Sequence, residues 1–318
     1  MTRKQILNVL KLVVSIVLLI IIFNTIDLQA FLKVVQNANP FWMFAALCMV
    51  ILGVFIRAVR WQVLLNSIDV RVPIIDLTAI YFIGFLFNNL LPSGVGGDAI
   101  RMVELNNYTE RGSDAITSVV VDRFLGLSAL QLIAAIALLF SWGAVPAAVA
   151  YFTILAFVGS LLLGLLLINR TVYQTLQAKF PPFRMLTEIR LVDKLASSFQ
   201  SYPMSALGKA YLVALAFNVS LILMNVFIGI ALGAEATLAQ YAVFVPITSL
   251  VLIIPISFGG LGVREETYRQ LFGQIGVPGE IAVAISLTVY LLGNIVTGLI
   301  GGTIYFVRSF RGVVSEKG

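Results

Sequence analysis

Long hydrophobic runs dominate the chain, and several are long enough to cross the hydrocarbon core of a bilayer. A membrane-spanning helix needs about 20 predominantly apolar residues. Because six runs approach or exceed that length, we predict a spanning helix at each of them. The runs occupy residues 7–25, 41–60, 115–141, 144–168, 205–232 and 281–306.

Two shorter apolar runs, 77–91 and 241–257, lead into related motifs. The first glycine motif is PSGVGGDAIR at 92–101, and the second glycine motif is PISFGGLGVR at 255–264. Both have the proline, the paired glycines, an aliphatic residue and the arginine at the same offsets. Irregular backbone at membrane depth is tolerated only where protein covers it or where it lines a cavity. Two copies in opposite halves therefore favour an inverted-repeat transport fold.

The distribution of positive charge decides whether the two short runs cross the membrane or turn back. With a cytoplasmic N-terminus and both runs re-entrant, all but four of the 21 lysines and arginines lie on or toward the cytoplasmic side. Lys33, Arg264 and Arg269 fall outside, and Arg123 lies within a span. If both runs crossed fully, the cationic stretch 170–209 would lie outside, against the positive-inside rule.

We therefore predict an all-α integral membrane protein, a polytopic helix bundle with two re-entrant helical hairpins related as an inverted repeat. It would be a multi-pass protein of the cell membrane with both termini cytoplasmic. An amphipathic interfacial helix is expected around 185–200, and a shorter one outside at 28–39. The single transmembrane domain, 1–318, divides into a first half, a cytoplasmic linker and a second half, at 1–170, 171–203 and 204–318.

Composition narrows the chemistry further. Hydrophobic residues make up 60% of the chain and charged residues 11%, and the formal net charge of +6 lies beside apolar segments rather than on a basic soluble face. That distribution disfavours nucleic acid as a partner. The chain has no histidine and one cysteine, Cys48, and it has no nucleotide-binding loop, hydrolase motif or metal-ligand spacing. We expect no cofactor, no metal and no catalytic residue.

The first glycine motif has the residues of an anion site. Gly96 and Gly97 permit a tight turn with positive φ, and Asp98 is a candidate N-cap for a returning helix whose first turns carry Arg101. A helix N-terminus attracts anions, and a guanidinium group matches phosphate oxygens. We therefore predict a phosphate-sized site here.

The second glycine motif repeats this arrangement with one loss. Gly259, Gly260 and Arg264 are kept, Leu261 replaces the aspartate, and Glu265 follows the arginine. A purely structural interpretation stays open, in which the glycines serve helix packing and each arginine pairs with a carboxylate for folding.

Asp122 and Arg123 are a third candidate, because both charges lie inside the cytoplasmic third of a predicted span. Charged side chains there are costly and usually face one another or an interior path. Arg123 is a second candidate phosphate ligand, and Asp122 would balance charge or carry a proton. The alternative is a structural ion pair. By contrast, Arg57, Arg60 and Trp61 are expected to be interfacial anchors, with anionic lipid headgroups as the other option.

Three segments resemble the lysylphosphatidylglycerol synthase transmembrane region family, whose members are also described as flippase-like membrane proteins. The segments are NLLPSGVGGDAIR at 89–101, DRFLGL at 122–127 and PISFGGLGVRE at 255–265. The resemblance implies transbilayer movement of a phospholipid or an aminoacylated phospholipid. In bacterial two-part relatives a soluble C-terminal domain attaches the amino acid; nothing here resembles that domain, so we expect no aminoacyl transfer.

The leading hypothesis is a flippase-like or scramblase-like transporter whose arginines at the two glycine motifs hold the lipid phosphate. Two alternatives stay open: a membrane glycosyltransferase that uses a polyprenyl-phosphate-linked sugar, and a non-transporting membrane partner protein. Besides the phospholipid and the membrane, a homodimer and a separate lipid-modifying enzyme stay open as partners.

Overall fold

The computed structural model describes residues 3–90, 96–180, 196–254 and 256–310, with side chains from residue 12 onward. These residues are overwhelmingly α-helical and include no strand, so the predicted all-α class is confirmed. The helices are α1 Arg3–Thr25, α2 Leu28–Gln36, α3 Pro40–Asn66, α4 Ile74–Leu90, α5 Gly96–Thr109, α6 Gly112–Ser141, α7 Ala147–Ile168, α8 Arg170–Lys179, α9 Met204–Ala231, α10 Leu238–Val251, α11 Val263–Gly273, α12 Gly279–Tyr290 and α13 Thr297–Phe310.

Five helical segments within these ranges are long and apolar enough to cross a membrane, which makes this a multi-pass membrane protein. They are α3, α6, α7, α9 and the continuous segment Gly279–Phe310, in which a π-helical stretch joins α12 to α13. The sixth predicted span lies in α1, which bends by 93° into α2. Asp27 begins α2 as its N-cap and accepts hydrogen bonds from the backbone N–H groups of the first turn.

Two long helices, α3 and α9, pack against each other along much of their length and form the centre of the bundle. Gly53 of α3 allows the close approach, because a Cβ atom there would lie 3.1 Å from Ser220 Oγ and 3.4 Å from the Phe217 ring. Around this pair, α4 packs on α13 and α10 packs on α6. Helix α4, which leads into the first glycine motif, packs on α3, and α5, which carries the end of the motif, packs on α4 and α6.

Gly298 and Gly302 of α13 allow close helix packing, since both face α4. Gly298 lies against Asn89, and a Cβ atom at Gly302 would lie 3.6 Å from Leu86. Asn89 also donates a hydrogen bond of 2.7 Å to the backbone carbonyl of Asn294 in the π-helical stretch. The last span and the end of α4 are thus joined by both packing and hydrogen bonding.

The second glycine motif makes the backbone turn that the sequence predicts. Gly259, Gly260 and Gly262 have φ values of +59°, +78° and +84°, a region that side chains other than glycine rarely adopt. Helix α1 covers this turn: Ser15 Oγ accepts a 2.7 Å hydrogen bond from the Phe258 N–H. The second motif is therefore packed against the first helix of the chain on one side and stays partly exposed.

Most of the interfacial helix predicted around 185–200 lies outside the described residues, and only 196–200 are seen to be helical. The shorter predicted helix at 28–39 corresponds to α2, Leu28–Gln36. The division of the chain into two halves and a linker stays a prediction.

Candidate functional site

A buried carboxylate, Asp122 of α6, joins three other helices. Its Oδ1 accepts from Arg60 Nε of α3 at 2.6 Å, and its Oδ2 accepts from the Tyr81 hydroxyl of α4 at 2.8 Å. Arg101 of α5 donates to the same Oδ2 at 3.1 Å and to the Tyr81 hydroxyl at 2.7 Å. Asp122 is 1% exposed and Arg60 is 4% exposed, so these charges are held in a low-dielectric interior.

A second carboxylate, Asp98, lies at the more open side of this cluster. It accepts from Arg101 Nη1 at 3.2 Å and forms an ion pair with Arg123, whose side chain is 43% exposed. The prediction that Asp98 caps α5 is wrong, because α5 begins at Gly96 and Asp98 lies in its first turn. Its carboxylate is used to pair arginines instead.

The glycines of the first motif serve close packing. Gly97 does not have a positive φ, so a turn is not what requires glycine there. A Cβ atom at Gly97 would lie 2.5 Å from the Gly84 carbonyl oxygen of α4, and the Gly97 N–H donates to Asn88 Oδ1 at 2.7 Å. One of the N–H groups that this helix N-terminus would offer to an anion therefore already has a partner, and Gly96 is buried beside it. Gly94 lies outside the described residues.

A cavity of about 270 Å³ opens beside the two carboxylates. Its described lining contains four arginines and two aspartates, which leaves two positive charges in excess: Arg57, Arg60, Arg101 and Arg123 against Asp98 and Asp122. Buried nitrogens also lack partners within the described structure, namely Arg60 Nη1 and Arg101 Nε. Coulomb interactions are strong where water is scarce, so this cavity favours an anion.

The described residues contain no group of three or more histidine, cysteine or carboxylate side chains arranged to hold a metal ion. The chemistry that this cavity does offer is charge-assisted hydrogen bonding from guanidinium groups, the strongest class of anion contact that side chains provide.

The second glycine motif forms a separate cluster. Arg264 is 6% exposed, donates to the Gly259 carbonyl at 2.8 Å and lies 4.8 Å from the centroid of the Tyr290 ring. Its Nη1 has no hydrogen-bond partner among the described residues. Glu265 does not pair with it; the Glu265 carboxylate accepts from the Gly262 N–H at 2.5 Å and from Ser286 Oγ at 3.0 Å.

The predicted site residues thus lie in two groups. Asp98, Arg101, Asp122 and Arg123 meet at one cavity beside Gly96 and Gly97. Gly259, Gly260, Arg264 and Glu265 lie together at the turn that α1 covers. The neighbouring Glu266 pairs with Arg269 at 2.7 Å.

Sequence reasoning missed the contribution of α3. Arg60 and Trp61 are buried, and Trp61 Nε1 donates to Ser118 Oγ at 3.0 Å, so the interpretation of both as interfacial anchors is wrong. The missed signal is the apolar sequence that continues beyond Trp61 to Asn66, the end of α3. Gly126 completes the arrangement, because a Cβ atom there would lie 2.7 Å from Arg60 Nη1.

Comparison of the sequence with known proteins identifies its relatives. The family model described as "Lysylphosphatidylglycerol synthase TM region" matches residues 8–301. The UPF0104 membrane protein PH1989 of Pyrococcus horikoshii is 22% identical over 320 aligned positions, which cover 92% of this chain and 95% of that protein. The UPF0104 membrane protein MJ1595 of Methanocaldococcus jannaschii is 28% identical over 120 positions, 37% of this chain and 36% of that protein.

Proposed function

The chain belongs to the lysylphosphatidylglycerol synthase TM region family, and on that premise we propose that it moves a phospholipid between the two leaflets of the membrane. The observation that carries the proposal is the cavity with four arginines and two aspartates inside a bundle of apolar helices. An ion-pair network that served folding alone would have matched charges. The surplus of two positive charges is suited to an anionic headgroup.

In this proposal the arginines of the two glycine motifs hold the lipid phosphate at different depths. Arg101 and Arg123 would act at the first motif, where Asp98 and Asp122 balance their charge and meet any cationic part of the headgroup. Arg264 would act at the second motif. Its deep burial and unpartnered Nη1 support this role, since a buried donor without an acceptor costs free energy unless a ligand supplies one.

Re-entrant hairpins and an inverted repeat are part of the same proposal, and the packing of the helices supports them. The contact of α4 with α13 has its counterpart in the contact of α10 with α6. Likewise, α4 packs on α5 as α10 packs on α11, and α5 packs on α6 as α11 packs on α12. Helices α4 and α10, with 17 and 14 residues, are also short for a full crossing. We further propose a location in the cell membrane with both termini cytoplasmic.

The test is transport by purified protein in liposomes that contain a fluorescent phospholipid, with an impermeant quencher to report its leaflet. Arg101→Ala and Arg264→Ala should each slow transport by about tenfold or more, because a charge-assisted hydrogen bond contributes about 1.5–3 kcal/mol. Arg71→Ala is the matched control, since Arg71 is exposed between α3 and α4. Wild-type rates for both motif variants would refute the phosphate role.

The enzymatic alternative needs a carboxylate that accepts a proton. Asp122 lies between Arg60 and Arg101, and Asp98 is paired with Arg123. All four oxygens of these carboxylates already accept hydrogen bonds from guanidinium groups, which leaves neither carboxylate free to take a proton from a substrate hydroxyl and disfavours a glycosyltransferase mechanism. We therefore propose a transporter that is not an enzyme. Turnover of a labelled polyprenyl-phosphate sugar by the purified protein would contradict this proposal.

A further inference from the structure

Within the described structure, Arg57 of α3 is the one arginine of this cavity that pairs with no carboxylate. Its guanidinium carbon lies 4.1 Å from the centroid of the Phe217 ring and 5.5 Å from that of Phe85. It forms no hydrogen bond or ion pair with any described residue. The other three cavity arginines are each paired with a carboxylate: Arg60 and Arg101 with Asp122, and Arg123 with Asp98.

The position of Arg57 makes this lack of a counter-ion costly. Arg57 lies nine residues, about 14 Å at 1.5 Å per residue, before the end of α3 at Asn66. Arg57 also lies within an apolar helix long enough to cross the membrane, and a charged side chain in such a segment is expensive and usually has a functional partner. Stacking against Phe217 and Phe85 stabilises the cation but leaves its N–H groups, which lie in the plane of the guanidinium group, free to donate.

Two cavities of different character meet at Arg57. The charged cavity of about 270 Å³ and a second cavity of about 160 Å³ share Arg57, Phe217 and Leu221 in their linings. The second cavity is otherwise mainly apolar; among its lining residues are Val50, Val54, Met224 and Val289. A polar space and an apolar space that join at a cation match the order of groups along a phospholipid.

We propose that Arg57 binds the phosphodiester of an anionic glycerophospholipid, with the headgroup in the charged cavity and an acyl chain in the apolar cavity. This inference rests on the proposed function and deepens it by naming the ligand class and a further arginine of the same cavity that binds the phosphate together with Arg101 and Arg123. The planar guanidinium group matches two phosphate oxygens at once, and the net charge of the cavity selects a negative headgroup over a zwitterionic one.

Binding to the full chain in detergent micelles tests the inference with three probes. They are dioctanoyl phosphatidylglycerol, dioctanoylglycerol, which lacks the phosphate, and glycerol 3-phosphate, which lacks the chains. Arg57→Gln should weaken phosphatidylglycerol binding by about tenfold or more and leave dioctanoylglycerol binding unchanged. Arg57→Lys should fall between Arg57→Gln and wild type, because an ammonium group keeps the charge but loses the two-pronged geometry. Arg71→Gln is the matched surface control and should bind all three probes as wild type does.

A second variant tests the apolar cavity independently. Val289→Trp fills that cavity, so it should weaken phosphatidylglycerol binding while glycerol 3-phosphate binding stays as weak as in the wild type. Arg57→Gln should also fold normally, because it removes an unpaired charge. Two outcomes overturn the inference. The first is that Arg57→Gln binds phosphatidylglycerol with wild-type affinity. The second is that the wild type binds glycerol 3-phosphate as tightly as phosphatidylglycerol, which would indicate a site for soluble anions.

The transport assay separates failure of this inference from failure of the proposed function. If Arg57→Gln transports and binds as wild type while Arg101→Ala does not transport, the role of Arg57 is wrong and the transport proposal stands. If the wild type moves no lipid but its phosphatidylglycerol affinity depends on Arg57, the ligand assignment stands and the transport proposal is wrong.

Discussion

Replacing Asp122 with asparagine removes the negative charge that two buried arginines share while keeping the size of the side chain. The carboxylate accepts from Arg60 at 2.6 Å, from Tyr81 at 2.8 Å and from Arg101 at 3.1 Å. An amide retains one acceptor oxygen and places N–H groups where a donor already lies. Breaking a buried ion pair by removing one partner costs about 3–5 kcal/mol. We expect Asp122→Asn to lower the free energy of unfolding by about that amount.

Titration of the protein from mild detergent into a denaturing detergent, followed by tryptophan fluorescence, measures this free energy. Asp98→Asn is the matched control: of its two partners, Arg123 is 43% exposed and Arg101 keeps its ion pair with Asp122, so the loss should be well below that of Asp122→Asn. If Asp122→Asn is destabilised no more than Asp98→Asn, then Asp122 does not hold the four helices together and the description of the cluster is wrong.

Three further outcomes follow from the packing. In the same titration, Gly97→Ala should lower the free energy of unfolding by about 1–3 kcal/mol, because the added methyl group overpacks against α4. Gly159→Ala is the control and should leave this free energy unchanged, since its added methyl group meets no atom within 4 Å. Equal effects of the two substitutions would contradict the close approach of α5 to α4. Tyr268→Phe should cost about 1–3 kcal/mol, because it leaves the buried Asn225 Oδ1 without its 2.5 Å donor, and an unchanged unfolding midpoint would show that water replaces the hydroxyl. Cys48, exposed on the apolar helix α3, should resist an impermeant maleimide in liposomes and react once detergent denatures the protein, because the reactive thiolate forms only in contact with water; rapid reaction in liposomes would place that face of α3 in water.

The helices could be predicted because apolar runs of the required length have few alternatives in a membrane chain. The runs at 115–141 and 144–168 correspond closely to α6 and α7. The bend between α1 and α2 was predicted only as a change from a span to a surface helix, and the angle depends on packing that a hydropathy pattern does not contain. The π-helical stretch Leu291–Val296 has no recognisable sequence signal at all.

The site could be predicted in part for a similar reason. Asp98, Arg101, Asp122 and Arg123 are conspicuous because charges are rare in apolar runs, and charges in a bundle tend to find one another. What the sequence could not provide is which helices are neighbours, so Arg60 was not matched with a carboxylate 62 residues away. Gly97 was predicted to serve a turn, but the structure shows that it serves a close helix contact. The sequence could not distinguish the two, because both require the absence of a side chain.

The separation between Arg60 and its counter-ion also bears on how the chain enters the membrane. During synthesis α3 emerges before α6, so Arg60 reaches the bilayer while Asp122 is still 62 residues from being made. An isolated guanidinium group in the lipid interior costs about 2.5–3.5 kcal/mol on insertion scales, and α3 carries Arg57 as well. We expect the newly made α3 to stay beside the insertion machinery, in contact with water, until α6 arrives and both segments enter the lipid together.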